Sequence, residues 1–196
     1  GTYTDNNIKT YSHGMFESVY DYPYLSSSAN HIFDVTTGYA SNSSLSGSGV
    51  QNSKKLNIYS QMAQVLVGYD ATGSIQSFDR DGDIALGGDK INEAIFVNFS
   101  RLLTKDEMKK GSFVASFLTG GTPAARTDLM TIADHGAAAS YKVNSPAGEY
   151  GILYTSSATP NADSGVGLVY YQAGVAVLTG SIFGGIDGTP ADKSSM

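Results

Sequence analysis

The 196-residue chain carries 12 Lys and Arg against 18 Asp and Glu, a formal net charge of −6, and no cysteine. That balance argues against a nucleic-acid backbone or an anionic membrane surface as partner, and the missing cysteines exclude a disulfide framework, thiolate chemistry and a zinc–sulfur site. Only 15% of the residues are charged and 23 are Gly, where about 25% charge is typical, a composition suited to many short strands separated by tight turns in one β-rich domain.

No apolar run approaches the roughly 18 residues of a membrane span. The opening Gly1-Thr-Tyr-Thr-Asp-Asn-Asn7 has neither the basic nor the apolar part of a signal peptide. It does not begin with Met, and residues 184–196 stop without a closing element. The expectation is a single domain over 1–183, a flexible or truncated tail over 184–196, and a longer reading frame around both.

Residues 8–24 hold a dense aromatic series, Tyr11, Phe16, Tyr20, Tyr22 and Tyr24. Tyr20-Asp-Tyr-Pro-Tyr24 alternates, and Pro23 restricts it to an edge strand or an extended loop. Residues 26–38 are ambiguous between two periods. Ala29, Ile32, Phe33 and Thr36 share a helical face behind possible Ser caps, whereas His31, Phe33 and Val35 share a strand face. The reading favours a helix near 28–37.

Ser41–Gly49 is a Ser/Gly/Asn loop. It opens onto the main helix, about Ser53–Val67, where Leu56, Tyr59, Met62, Ala63 and Leu66 form one apolar stripe. Asn52 or Ser53 is placed to cap its start and Gly68 to end it. A turn-rich acidic segment, 69–90, precedes a strand over Ile95–Leu102. Thr104-Lys-Asp-Glu107 matches a capping box and predicts about one helical turn before Gly111. Further strand-like pieces follow at 112–118, 128–132, 139–143 and 150–155, at the spacing of a sandwich or barrel.

The last two strands, Val166–Tyr171 and Val175–Thr179, form a hairpin joined by Gln172-Ala173-Gly174. Gly174 stands where the turn wants positive φ, which glycine adopts without a Cβ penalty. With the chain ending soon afterwards, Val175–Thr179 reads as an edge strand open to a partner. The predicted fold is mainly β, with sandwich-like antiparallel sheets and one substantial helix; an α+β arrangement is the alternative.

The candidate chemistry is sparse. Asp79-Arg-Asp-Gly-Asp83, with Asp89 nearby, places carboxylates on alternate residues of a turn, as calcium loops do. Counted from Asp79, the required Gly falls on Ile84 and the bidentate acid on Lys90, so the EF-hand pattern fails at both and a solvated acidic loop is the preferred reading. His13, His31 and His135 have no metal-ligand spacing, and His135 suits a turn in Asp134-His-Gly136. No Gly-x-Ser-x-Gly elbow or phosphate-binding loop occurs. Glu93, Glu107 and Glu149 are the possible glycosidase carboxylates, with Glu107 already used in the cap. Tyr20, Tyr22 and Tyr24 offer apolar area with polar tips, a platform for a glycan or an interface anchor, against the plainer reading of edge tyrosines covering the core. No cofactor is called for.

Phe16–Asp34, Phe99–Ser116 with its Lys105-Asp-Glu-Met-Lys-Lys-Gly111 core, Asn144–Gly151 and the C-terminal hairpin resemble virion structural proteins of T4-like marine tailed phages. The likeness spans most of 14–183 and contains no catalytic signature. It implies a non-enzymatic tail or baseplate component, located in the virion and assembled with copies of itself or with other virion proteins. A glycan-binding module and a cell-wall polymer hydrolase are the competing expectations.

Overall fold

The structure, a computed structural model, describes residues 5–84, 87, 89–99, 106–122, 125–155 and 164–183. Among these residues, nine strands form one antiparallel sheet. In chain order they are β1 (Ile8–Thr10), β2 (Glu17–Tyr20), β3 (His31–Tyr39), β4 (Glu93–Phe99), β5 (Val114–Thr122), β6 (Ala125–Ala133), β7 (Tyr150–Thr155), β8 (Gly167–Tyr170) and β9 (Val175–Thr179). Across the sheet the order is β1-β2-β3-β4-β9-β8-β7-β6-β5. Helix α1 (Val50–Leu66) packs on one face and the single-turn α2 (Ala137–Ser140) precedes β7. The mainly β antiparallel fold with one substantial helix is as expected. The strands form one continuous sheet, however, rather than separate ones.

Side chains alternate across each strand, so the sheet supports a core on both faces. On the α1 face, Phe96 of β4, Val177 of β9, Leu168 and Tyr170 of β8, and Tyr150 of β7 meet Tyr59, Ala63 and Leu66 of the helix. On the other face, Leu178, Val169, Leu153 and Ile132 gather with Tyr171 and Ala137. The helix approaches β3 closely at Gly38, where a Cβ would lie 2.9 Å from the Tyr59 nitrogen and 3.1 Å from the Lys55 carbonyl oxygen. The Tyr59 hydroxyl reaches past the stripe to donate to the Ile91 carbonyl (2.6 Å) and accept from the Phe78 amide (3.3 Å). Burial pushes its phenol up to about 12.

The apolar stripe of α1 is in place, but the helix begins earlier than predicted. Its N-cap is Gly49, with no side-chain cap; Asn52 instead donates to Gly47 and Ser53 to Gly49. Gly68 does end it: at φ 89 its N–H, like that of Val67, reaches the Ala63 carbonyl. The helix predicted near 28–37 is overturned. Residues 31–37 of that stretch lie in β3, paired with β2 on one side and β4 on the other, so the strand face of His31, Phe33 and Val35 prevails over the helical one. The strand expected at 139–143 is likewise replaced by α2 and a lone bridge between Lys142 and Tyr150. Of the predicted capping box, Thr104 and Lys105 lie outside the described residues, while Asp106–Gly111 run as bends and a turn. The predicted tail, 184–196, also lies outside them.

The C-terminal hairpin forms with Gly174 at φ 69, its N–H bonded to the Tyr170 carbonyl at 2.9 Å. Its second arm is not an edge. β9 is paired with β4 and β8, and all five of its residues are buried. The chain returns to the middle of the sheet because Val175–Thr179 carries apolar side chains on both faces, the pattern of a strand covered on both sides.

Candidate functional site

Among the described residues, the two edges of the sheet are β1 and β5. They differ in kind. β1 is three residues long and carries Lys9, features that discourage pairing with another chain. β5 is nine residues long, Val-Ala-Ser-Phe-Leu-Thr-Gly-Gly-Thr, with neither charge nor proline to protect it.

A buried carboxylate positions the start of β5. Asp134, only 2% exposed, follows β6 and accepts hydrogen bonds from the Gly111 amide (2.7 Å), the Phe113 amide (2.9 Å) and the Tyr171 hydroxyl (2.9 Å). Tyr171 begins the turn of the central hairpin, so one side chain ties the entry of β5 to the middle of the sheet. Burial, together with the hydrogen bond to Asp134, pushes the Tyr171 phenol well above its usual range. Beside it, Lys110 is ion-paired with Glu149, and its ammonium lies 4.8 Å from the centre of the Tyr141 ring. The hydrogen bond to Glu149 raises the Lys110 pKa.

Backbone geometry then dictates which groups β5 leaves open. The Asp134 amide donates to the Phe113 carbonyl (3.3 Å), and the register continues through Val114↔Ala133 to Phe117↔Met130. Hydrogen-bonded and non-bonded pairs alternate in an antiparallel ladder. Ala115 and Phe117 therefore direct their N–H and C=O groups at β6, whereas Val114, Ser116 and Leu118 direct theirs away from it.

That open side borders an apolar cleft of about 610 Å³. Phe33 and Val35 of β3, Ile95, Val97 and Phe99 of β4, and Leu178 of β9 supply the sheet side of the cleft. Ser112 through Phe117 line the facing side without a break, so the cleft runs along the edge of β5 as well as beneath its inward side chains. Aromatic pairs hold the two sides in place: Phe99 packs on Phe113 at 5.9 Å between ring centres, and Phe117 on Phe183 at 5.2 Å. The volume falls within the roughly 300–1,000 Å³ of binding pockets. A smaller cleft of about 420 Å³ on the α1 face, beside Met15, Phe16, Met62 and Val65, borders no strand edge.

No protein-family model, curated protein or solved structure matches this chain. Among the described residues no helix is long and apolar enough to cross a membrane.

The residues singled out in the sequence lie elsewhere. Tyr20 closes β2 and packs against Tyr24 (6.4 Å) and His31 (5.4 Å), both half-buried, while Tyr22 stands 48% exposed in the loop beyond. The three tyrosines thus divide between covering the sheet and facing solvent. Asp79, Asp81 and Asp83 do converge, with potential ligand atoms within 4.8 Å of one another. Asp89 does not join them; it pairs with Arg80. Asp79 is buried, accepts from the Asp81 and Gly82 amides, and takes the Lys90 ammonium, which also donates to the Ile84 carbonyl. Lys90 thereby supplies Asp79 with a positive charge from within the chain. Burial is the main reason that the Asp79 pKa is raised.

The possible glycosidase carboxylates have separate attachments: Glu93 accepts from Ser43, Glu149 pairs with Lys110, and Glu107 is exposed. His135 has a buried Nε2 with no partner among the described residues. Sequence reasoning missed Asp134 and the β5 edge. Asp134 was legible only as a turn residue, since its three donors come from residues 111, 113 and 171.

Proposed function

We propose that this chain is a non-enzymatic structural component of a tailed-phage particle, working by assembly with copies of itself or with other virion proteins. The resemblance noted in the sequence supports this reading. The observation that carries it is the unprotected nine-residue edge of β5 beside an apolar cleft. Such an edge is a template for pairing with another chain, and an apolar slot beside it supplies the area that makes pairing stable. Val114 (65% exposed) and Leu129 (55% exposed) add apolar surface on the outer side of the same β5–β6 arm. The test is light scattering and negative-stain imaging of the full-length product, alone and mixed with the other proteins of its particle. Higher-order or mixed assemblies are expected. A strict monomer with no affinity for those proteins ends the proposal.

A glycan-binding module is the second reading, favoured by Tyr22 alone because its ring is open to solvent. Tyr22→Ala should then remove binding on a glycan array while changing stability by no more than about 0.5 kcal/mol, as is usual for an exposed residue. An array that is blank for the unmodified protein removes this reading.

A further inference from the structure

We infer that the cleft beside β5 is the seat of an extended strand from a different protein chain, one whose alternate residues are apolar. This inference rests on the assembly reading above and names the partner's chemistry. Two independent features point to a strand. The first is the row of N–H and C=O groups that Val114, Ser116 and Leu118 turn away from β6, an array that only another main chain satisfies in register. The second is the cleft along that same row, lined by half-buried Phe33, Val35, Val97 and Phe99. A strand added to β5 would place every second side chain over those rings and the others toward solvent. An acyl chain would fill the cleft but leave the strand edge without hydrogen-bonding partners.

The alternation demanded of the occupant also narrows its source. The stretches of four or more residues outside the described ones are Gly1–Thr4, Ser100–Lys105, Ser156–Asp163 and Gly184–Met196. Ser100-Arg-Leu-Leu-Thr-Lys105 has adjacent rather than alternating leucines, and the other three are dominated by Gly, Ser, Thr, Asn and Asp. None supplies the alternating apolar run that the cleft would take. The described strands in the interior of the sheet are paired on both edges, which leaves β5 of a second copy as the rival that the dimer outcome below decides. The geometry therefore favours a donor strand from a neighbouring protein over a segment of these 196 residues.

The test uses the full chain and a fluorescein-labelled pool of decapeptides in which Val, Ile, Leu or Phe occupies every second position and Thr, Ser, Lys or Glu the rest. Fluorescence anisotropy should give saturable binding. A pool of the same composition with the apolar residues grouped at one end should bind at least about tenfold more weakly, a loss of roughly 1.4 kcal/mol. Methylating the backbone nitrogens that would face β5 removes the main-chain donors while keeping the side chains, and should weaken binding by a similar factor. Ser116→Pro provides the protein-side control, because the N–H it deletes points away from β6 and its proline bars an added strand. It should abolish binding while leaving the melting temperature within a few degrees. If that variant fails to fold, the methylated peptides on the unaltered protein decide the matter.

Absence of saturable binding, equal binding of the grouped or methylated pools, or binding of oleate but not of peptide would each overturn the inference. So would a dimer formed through β5 that excludes the peptides, since the occupant would then be a second copy. Association with other particle proteins that survives Ser116→Pro overturns the inference but leaves the assembly reading standing. Peptide binding by a protein that never joins a particle does the reverse.

Discussion

Replacing Asp134 should release the start of β5 from the centre of the sheet. Its carboxylate receives three hydrogen bonds, with Oδ1 facing the Phe113 amide and Oδ2 facing both the Gly111 amide and the Tyr171 hydroxyl. Hydrogen bonds to a charged acceptor contribute about 1.5–3 kcal/mol each, but they are not additive and a shortened side chain admits some water. Asp134→Ala should therefore cost about 3–5 kcal/mol, the range for breaking a buried polar network. At about 2–4 °C per kcal/mol for a chain of this length, the melting temperature falls by roughly 6–20 °C. Asp134→Asn is the sharper variant. Whichever oxygen becomes the amide nitrogen, it meets a backbone N–H, so this nearly isosteric change should still cost about 2 kcal/mol through the unsatisfied donor. Calorimetry measures the cost, and hydrogen exchange locates it. The amides of Gly111 and Phe113 should lose protection well before those of β4 and β9. A drop of less than about 3 °C for Asp134→Ala, or unchanged protection at those two amides, would refute the assignment of Asp134 as the tie.

Two further perturbations probe the rest of the core. Tyr59→Phe leaves the buried Ile91 carbonyl and Phe78 amide without their shared partner and should cost about 1–3 kcal/mol in urea unfolding; a loss under about 0.5 kcal/mol would mean that the hydroxyl is not holding that loop to α1. Asp79 has a folded pKa above its ordinary 3.8, chiefly through burial and a hydrogen bond with Asp81, opposed by Lys90. A raised folded value means that the folded state binds the proton more tightly, so the associated stability is full below 3.8 and is lost as pH rises through the raised value. Unfolding of the unaltered protein and of Asp79→Asn across that window should show the former losing stability relative to the latter; parallel curves contradict the shift.

Local pattern was enough wherever a segment's neighbours merely confirm it. The stripe Tyr59, Ala63 and Leu66 makes α1 amphipathic whatever it packs on, and Gly174 needs only its own turn to adopt φ 69. Residues 28–37 illustrate the opposite case. Phe33 fits both periods, and what selects the strand is pairing with Val19 on one side and Phe99 on the other, the latter 66 positions away. Ala139–Val143 fails for a related reason: with Asp134 bonded to three distant donors, the following residues turn as α2 and leave only Lys142 to bridge to β7.

The site was less legible than the fold because an edge is a property of topology. Val175–Thr179 and Val114–Leu118 look alike as sequences, since both are short, mostly apolar and free of charge. Position in the chain favours the first as the terminal strand, yet a strand of Val, Ala, Val and Leu has apolar groups for two faces and is most stable where both are covered. It is inserted between β4 and β8, and its late place in the chain leaves nothing open. β5 is covered on one face only: Phe113, Ala115 and Phe117 point inward, while Val114, Ser116 and Leu118 alternate to the outer side. The one-sided burial of β5, set beside the two-sided burial of β9, distinguishes the open edge in the structure, whereas the apolar Val114 and Leu118 on its outer side hide it in the sequence. The register places the available backbone groups at Val114, Ser116 and Leu118, on the strand whose entry Asp134 fixes.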